Sequence, residues 1–159
     1  MSITASEMAQ KLTVIAKTGA RTNVERENVE LLAPIVIMAE TGTDEIKMAR
    51  IKMREGLDLN KALASCLAHY KAYAYCFVRE GYGTEFPEAL LGAKGDFSLI
   101  PKEDYYGVVV LQTGVKGQQH MTGSRAIIDT NEQGRTIVSW EDEIGVDEEA
   151  VSQYFVTDW

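Results

Sequence analysis

The segment from Leu59 to Glu80 constrains the fold more than any other part of the chain. Leu59, Leu63, Cys66, Tyr70, Tyr73 and Phe77 recur at i, i+4, i+7, i+11, i+14 and i+18. At helical spacing they fall within about 40° of one line, a continuous apolar stripe. The opposite side, where a surface helix carries charge, holds Ala64, Ala68, Ala72 and Tyr75, relieved by Lys61, Lys71 and Arg79. A helix that is apolar nearly all round must be wrapped, either by other elements of its own chain or by a partner. The pattern therefore predicts a central helix over 59–80.

The residues before it supply the wrapping. Thr4-x-x-Glu7 is a capping-box signature, with Ile3 and Met8 placed for a hydrophobic staple and Met8, Leu12 and Ile15 on one face. Gly19 suits a helix C′ position. Thr22-x-x-Glu25 repeats the box and predicts a second helix with Leu31, Leu32, Ile35 and Met38 inward, kinked or broken just before Pro34. A third helix is expected after Thr43, with Asp44 and Glu45 in its first turn and Arg50, Lys52 and Arg54 near its end, ordered as the helix dipole favours.

Past Gly81-Tyr-Gly83 the period changes. Residues 105–112 (Tyr-Tyr-Gly-Val-Val-Val-Leu-Gln) are rich in β-formers and apolar on both faces, as in a central strand covered on both sides. Residues 125–129 and 135–141 predict two further strands, and the intervening 130–134 loop, ending in glycine, suits a hairpin. Asp147-Glu-Glu149 reads as the start of a short C-terminal helix. The expected fold is thus α+β: an N-terminal bundle of about four helices, residues 1–81, packed with a C-terminal three-stranded antiparallel meander and a short helix, residues 82–159. The two halves are expected to share one core.

Charge divides the chain in the same place. Residues 1–80 hold 11 basic and 10 acidic residues, whereas 81–159 hold 5 and 14, within a net charge of −8. Such acidity argues against coating nucleic acid or docking on anionic membranes. The longest apolar run, 31–39, is far short of the roughly 20 residues of a membrane span. The N-terminus lacks the basic and apolar regions of a secretory signal. Cys66 and Cys76, placed about 15 Å apart on one helix, are too distant for a disulfide. Free thiols then indicate a reducing, cytoplasmic setting.

No catalytic motif stands out, and no cofactor or metal is expected. Cys66 and His69 are i, i+3 on a helix, yet no third ligand follows at a metal-binding spacing. Lys47, Arg50 and Arg54 would form a basic stripe on the third helix, but the next helix offers too few polar side chains to read a DNA groove. The 114–123 segment is the better candidate: Lys116, Gly117, Gln119, His120 and Thr122 could build a glycine-flanked anion nest for a small ligand or nucleotide. The leading expectation is nevertheless a non-enzymatic protein that acts by protein contact or self-association, as homo-oligomer, assembly subunit or inhibitor. Its predicted surfaces are Ala68, Ala72 and Tyr75 on the long helix and the acids Glu141, Asp142 and Glu143.

Overall fold

The computed structural model describes residues 3–27, 34–52, 54–83, 87–94, 99–117, 122–145, 156 and 158–159. It replaces the expected helical bundle with a six-stranded antiparallel sheet ordered β2 (Ile46–Arg50), β1 (Ile35–Glu40), β3 (Ala72–Gly83), β4 (Tyr106–Val115), β5 (Thr122–Asn131) and β6 (Gly134–Gly145). Two helices of more than two turns, α1 (Ala5–Glu27) and α2 (Leu59–His69), pack on its opposite faces. A third, α3 (Pro87–Gly92), is a short connection.

Helix α1 begins where the sequence indicates. The Glu7 amide donates to Thr4 Oγ1 at 3.1 Å, and the Thr4 hydroxyl donates to Glu7 Oε1 at 2.9 Å. Gly19, however, does not end it. The stripe Met8, Leu12, Ala16, Ala20 and Val24, each at most 4% exposed, advances four residues at a time straight through that glycine. Burying it against the sheet outweighs the roughly 1 kcal/mol that glycine costs a helix interior. The two expected N-terminal helices are therefore one helix and a strand; Leu31 and Leu32 lie outside the described residues.

The strand is β1 (Ile35–Glu40), buried on both sides over nearly its whole length. Its Ile-Val-Ile run is stiff at χ1 and favours a pleated surface over a helix. The expected third helix is likewise β2 (Ile46–Arg50), returning from β1 as a hairpin with Ile35 opposite Arg50 and Ile37 opposite Met48. The turn needs left-handed backbone at Gly42 (φ 85°) and Asp44 (φ 56°). The basic stripe consequently does not form. Lys47 reaches Glu40 at 3.4 Å, and Arg50 turns to the other face of the sheet.

The long central rod divides as well. Asp58 caps α2 by accepting from the Lys61 amide at 3.2 Å, and the helix ends at His69. Lys71 then adopts φ 55°, and β3 (Ala72–Gly83) begins. From Ala74 onward the side chains alternate: Ala74, Cys76 and Val78 join the core under α1, while Tyr75 and Phe77 join the core under α2. A segment apolar at every position satisfies a helix period and a strand period equally, and its aromatic and β-branched content decides for the strand. A bulge where Ala39 and Glu40 face Ala74 and Ala72 lets Tyr73 and Ala74 both turn toward the α1 side.

Strands β4 (Tyr106–Val115), β5 (Thr122–Asn131) and β6 (Gly134–Gly145) lie where strands are expected, but they form half of one continuous sheet rather than a separate meander. Ten residue pairs join β3 to β4, from Ala74–Val115 to Gly83–Tyr106. The expected C-terminal helix at 147–155 lies outside the described residues. Gly19→Ala distinguishes the two readings of α1 by sign. Inside a helix, with nothing within 4 Å of the added Cβ, it should raise unfolding stability by about 0.5–1 kcal/mol in urea titration. A glycine in a left-handed cap would instead lose stability.

Candidate functional site

The two faces of the sheet are covered unequally. On one face α1 reaches from β1 to β6, with Val109, Leu111, Ala126, Ile128 and Ile137 completing the core beneath it. A small polar cluster ties this layer together: Thr13 and Thr113 hydroxyls meet at 2.8 Å, and Thr113 Oγ1 donates to Cys76 Sγ at 3.6 Å. Burial pushes the Cys76 thiol up to about 12, leaving it protonated and inert at neutral pH. Glu80 and Arg135 form an ion pair with both side chains nearly excluded from water, and Arg135 Nη1 is buried without an acceptor.

On the opposite face the cover stops partway. Helix α2 lies over β1 and β3, and Leu63 and Leu67 pack with Val36, Met38, Tyr75 and Phe77. The end of the chain closes this layer. The Tyr75 hydroxyl donates to the Val156 carbonyl at 2.8 Å, and Trp159 Nε1 donates to the Ala72 carbonyl at 2.8 Å. The Tyr75 and Trp159 rings meet edge to face at 5.5 Å. Burial raises the Tyr75 phenol above its ordinary value. Beyond that layer, the outward positions of β4, β5 and β6 have no cover among the described residues. Val108 and Val110 of β4 are half-buried, and Ile127 and Val138 are 47% and 45% exposed. With Tyr82 and Tyr106 they border a shallow groove of about 450 Å³. At its edge Arg125 Nε donates to Glu141 Oε2 at 2.8 Å.

The sequence-predicted residues are dispersed. Ala68 is exposed on α2, whereas Ala72 and Tyr75 are buried under the chain's own Val156 and Trp159. Glu141 is exposed on the open face; Asp142 and Glu143 continue β6, and their side chains lie outside the described residues. In the 114–123 segment the Lys116 amide donates to the Tyr73 carbonyl at 2.9 Å, Gly117 has φ 77°, and both residues are exposed. Gln119 and His120 lie outside the described residues. Thr122 is the first residue of β5, opposite Thr113. Cys66 and Cys76 sit on α2 and β3 as free thiols, and the described residues bring no three His, Cys, Asp or Glu side chains together as a metal site. No helix among the described residues is long and apolar enough to cross a membrane.

The open face was legible as Val108-Val109-Val110, a run apolar on both sides that implies two covers. Among the described residues the structure supplies one of them. Compared with models of known families, with characterised proteins and with solved structures, the chain matches none.

Thiol labelling tests the burial pattern. At pH 8, the native protein should expose only the partly accessible Cys66 to an aromatic disulfide reagent, and denaturant should release a second equivalent from Cys76. Because folding raises the Cys76 value, its contribution to stability is complete below pH 9 and declines as pH rises toward 12. Denaturation midpoints across that range, compared with Cys76→Ala, should show this loss.

Proposed function

We propose that this protein works by contact with another protein surface, and that the contact face is the half of the sheet over β4, β5 and β6 that the described residues leave uncovered. The observation that carries the reading is chemical. An antiparallel sheet with one wet face places polar side chains outward, yet here Val108, Val110, Ile127 and Val138 point away from α1. A contiguous apolar strip bordered by tyrosines is the usual composition of a protein contact.

The partner that fits best is a second copy of the chain. The strip has one base and one acid, Arg125 and Glu141, paired as cross-strand neighbours. About a two-fold axis, each could meet its opposite on the other copy, so the patch is self-complementary in charge. The remaining acids, within a net charge of −8, oppose association at long range. Salt therefore strengthens the contact instead of weakening it. Addition of a strand at the sheet's edge fits less well. Both irregularities in the β5–β6 pairing fall beside the outer strand β6, and bulges blunt an edge against pairing. Free thiols at Cys66 and Cys76 accord with a reducing compartment such as the cytoplasm.

Sedimentation equilibrium tests this reading. The wild type should self-associate at tens of micromolar in 150 mM salt and more weakly at low salt. Ile127→Glu with Val138→Glu should leave a monomer with an unchanged circular dichroism spectrum, since both side chains are half exposed. A wild type that remains monomeric at every concentration and salt defeats the self-association reading.

A further inference from the structure

A second feature lies on the other side of the sheet and is independent of that contact. The C-terminal half of α1 meets the sheet through small residues, Ala16, Gly19 and Ala20, one helical turn apart. Small side chains there leave a pocket of about 250 Å³ between helix and strands. Its apolar wall is Ile35 and Ile37 of β1, Val78 of β3 and Val109 of β4. Strand β2 forms the outer rim. The register that sets Arg50 opposite Ile35 and Met48 opposite Ile37 brings both side chains to this same face, and both are exposed.

The polar residues at this pocket include Thr22, Asn23, Arg50 and Glu80, and the Thr22 hydroxyl already donates to the Thr18 carbonyl at 3.1 Å. Among the described residues Arg50 forms no ion pair and the Asn23 side chain makes no hydrogen bond, so each has unspent N–H donors. Glu80, a carboxylate in the wall, is already neutralised by Arg135 behind it. Arg79 turns to the opposite face, over the Phe77 ring at 5.3 Å. A cation and an amide with unspent N–H donors beside an aliphatic wall favour a ligand with an anionic head and a short apolar chain. The volume lies below the roughly 300 Å³ at which pockets begin to hold drug-sized ligands, which disfavours nucleotides and long acyl chains.

We propose that the cleft between α1 and strands β1–β3 binds a short aliphatic carboxylate, its head at Arg50 and Asn23 and its chain against Ile37, Val78 and Val109. Amide spectra of the ¹⁵N-labelled protein titrated with octanoate test the proposal, with acetate and octanol as single-feature controls. Octanoate should give saturable shifts confined to α1 from Ala16 to Asn23, to β1 and to Arg50. Acetate and octanol should each bind about tenfold more weakly or worse. Arg50→Gln, at an exposed position, should abolish the preference for octanoate over octanol. Gly19→Leu, whose new side chain enters open space, should remove octanoate binding while the circular dichroism spectrum is retained. Octanol binding as tightly as octanoate, shifts spread outside the cleft, binding undiminished in either variant, or no saturable shift at millimolar octanoate would overturn it.

Discussion

One helix serves as the inner cover for almost the whole sheet. Met8, Leu12, Ala16, Ala20 and Val24 lie on a single line of α1, and that line meets side chains contributed by β1, β3, β4, β5 and β6. Small residues at Ala16 and Ala20 leave a pocket beneath the helix, and a part-buried hydroxyl pair, Thr13 with Thr113, ties the helix to β4 one turn before it. Truncating Leu12, fully buried on that line, would cost about 2–5 kcal/mol.

The other face follows a different economy. Helix α2 has eleven residues and covers only the strands nearest to it in sequence. Its layer is completed by Val156 and Trp159, from the far end of the chain. Because Trp159 donates to the Ala72 carbonyl, the last residue is docked at the first residue of β3, and the buried phenol of Tyr75 finds its acceptor on Val156. A buried hydroxyl left without that acceptor would cost about 1–3 kcal/mol. The C-terminus is therefore part of the core under α2, and shortening the chain would unsatisfy Tyr75.

Where the sequence misleads, it does so for a common physical reason. Residues 35–39 and 72–78 are apolar at every position. A stretch with no polar residues has no detectable period, so any face count can be fitted to a helix. The decisive cues were local: the Ile35-Val36-Ile37 run, the Tyr73, Tyr75 and Phe77 alternation, and Pro34 as a strand start rather than a kink. Strands β4 to β6 were legible because β-formers and a glycine-ended turn agreed there. The capping box at Thr4 was legible because its signature depends on two side chains and no tertiary contact. The open face was half legible: both sides of 108–110 demanded cover, but one chain's sequence does not say which cover it lacks. The cleft under α1 was not legible, since it depends on the register of β2 against β1.

Magnitudes bound what the open face can do. Fully burying a valine or isoleucine stabilises by about 1.5–3 kcal/mol, and Ile127 and Val138 retain nearly half of their exposure. Each thus has roughly 1 kcal/mol left to gain. Tyr82, Tyr106, Val108 and Val110 are already partly covered by their neighbours, so their remaining gains are smaller. A two-fold contact counts every side chain twice, giving a gross gain of order 10 kcal/mol. Association itself costs about 4–15 kcal/mol in lost freedom. The Arg125–Glu141 exchange adds little, because an exposed pair is worth about 1 kcal/mol at most and the pair is already made within one chain. The two terms nearly cancel, so the apolar strip alone sustains a weak, concentration-dependent contact. A tight obligate assembly would require further buried surface beyond these strands.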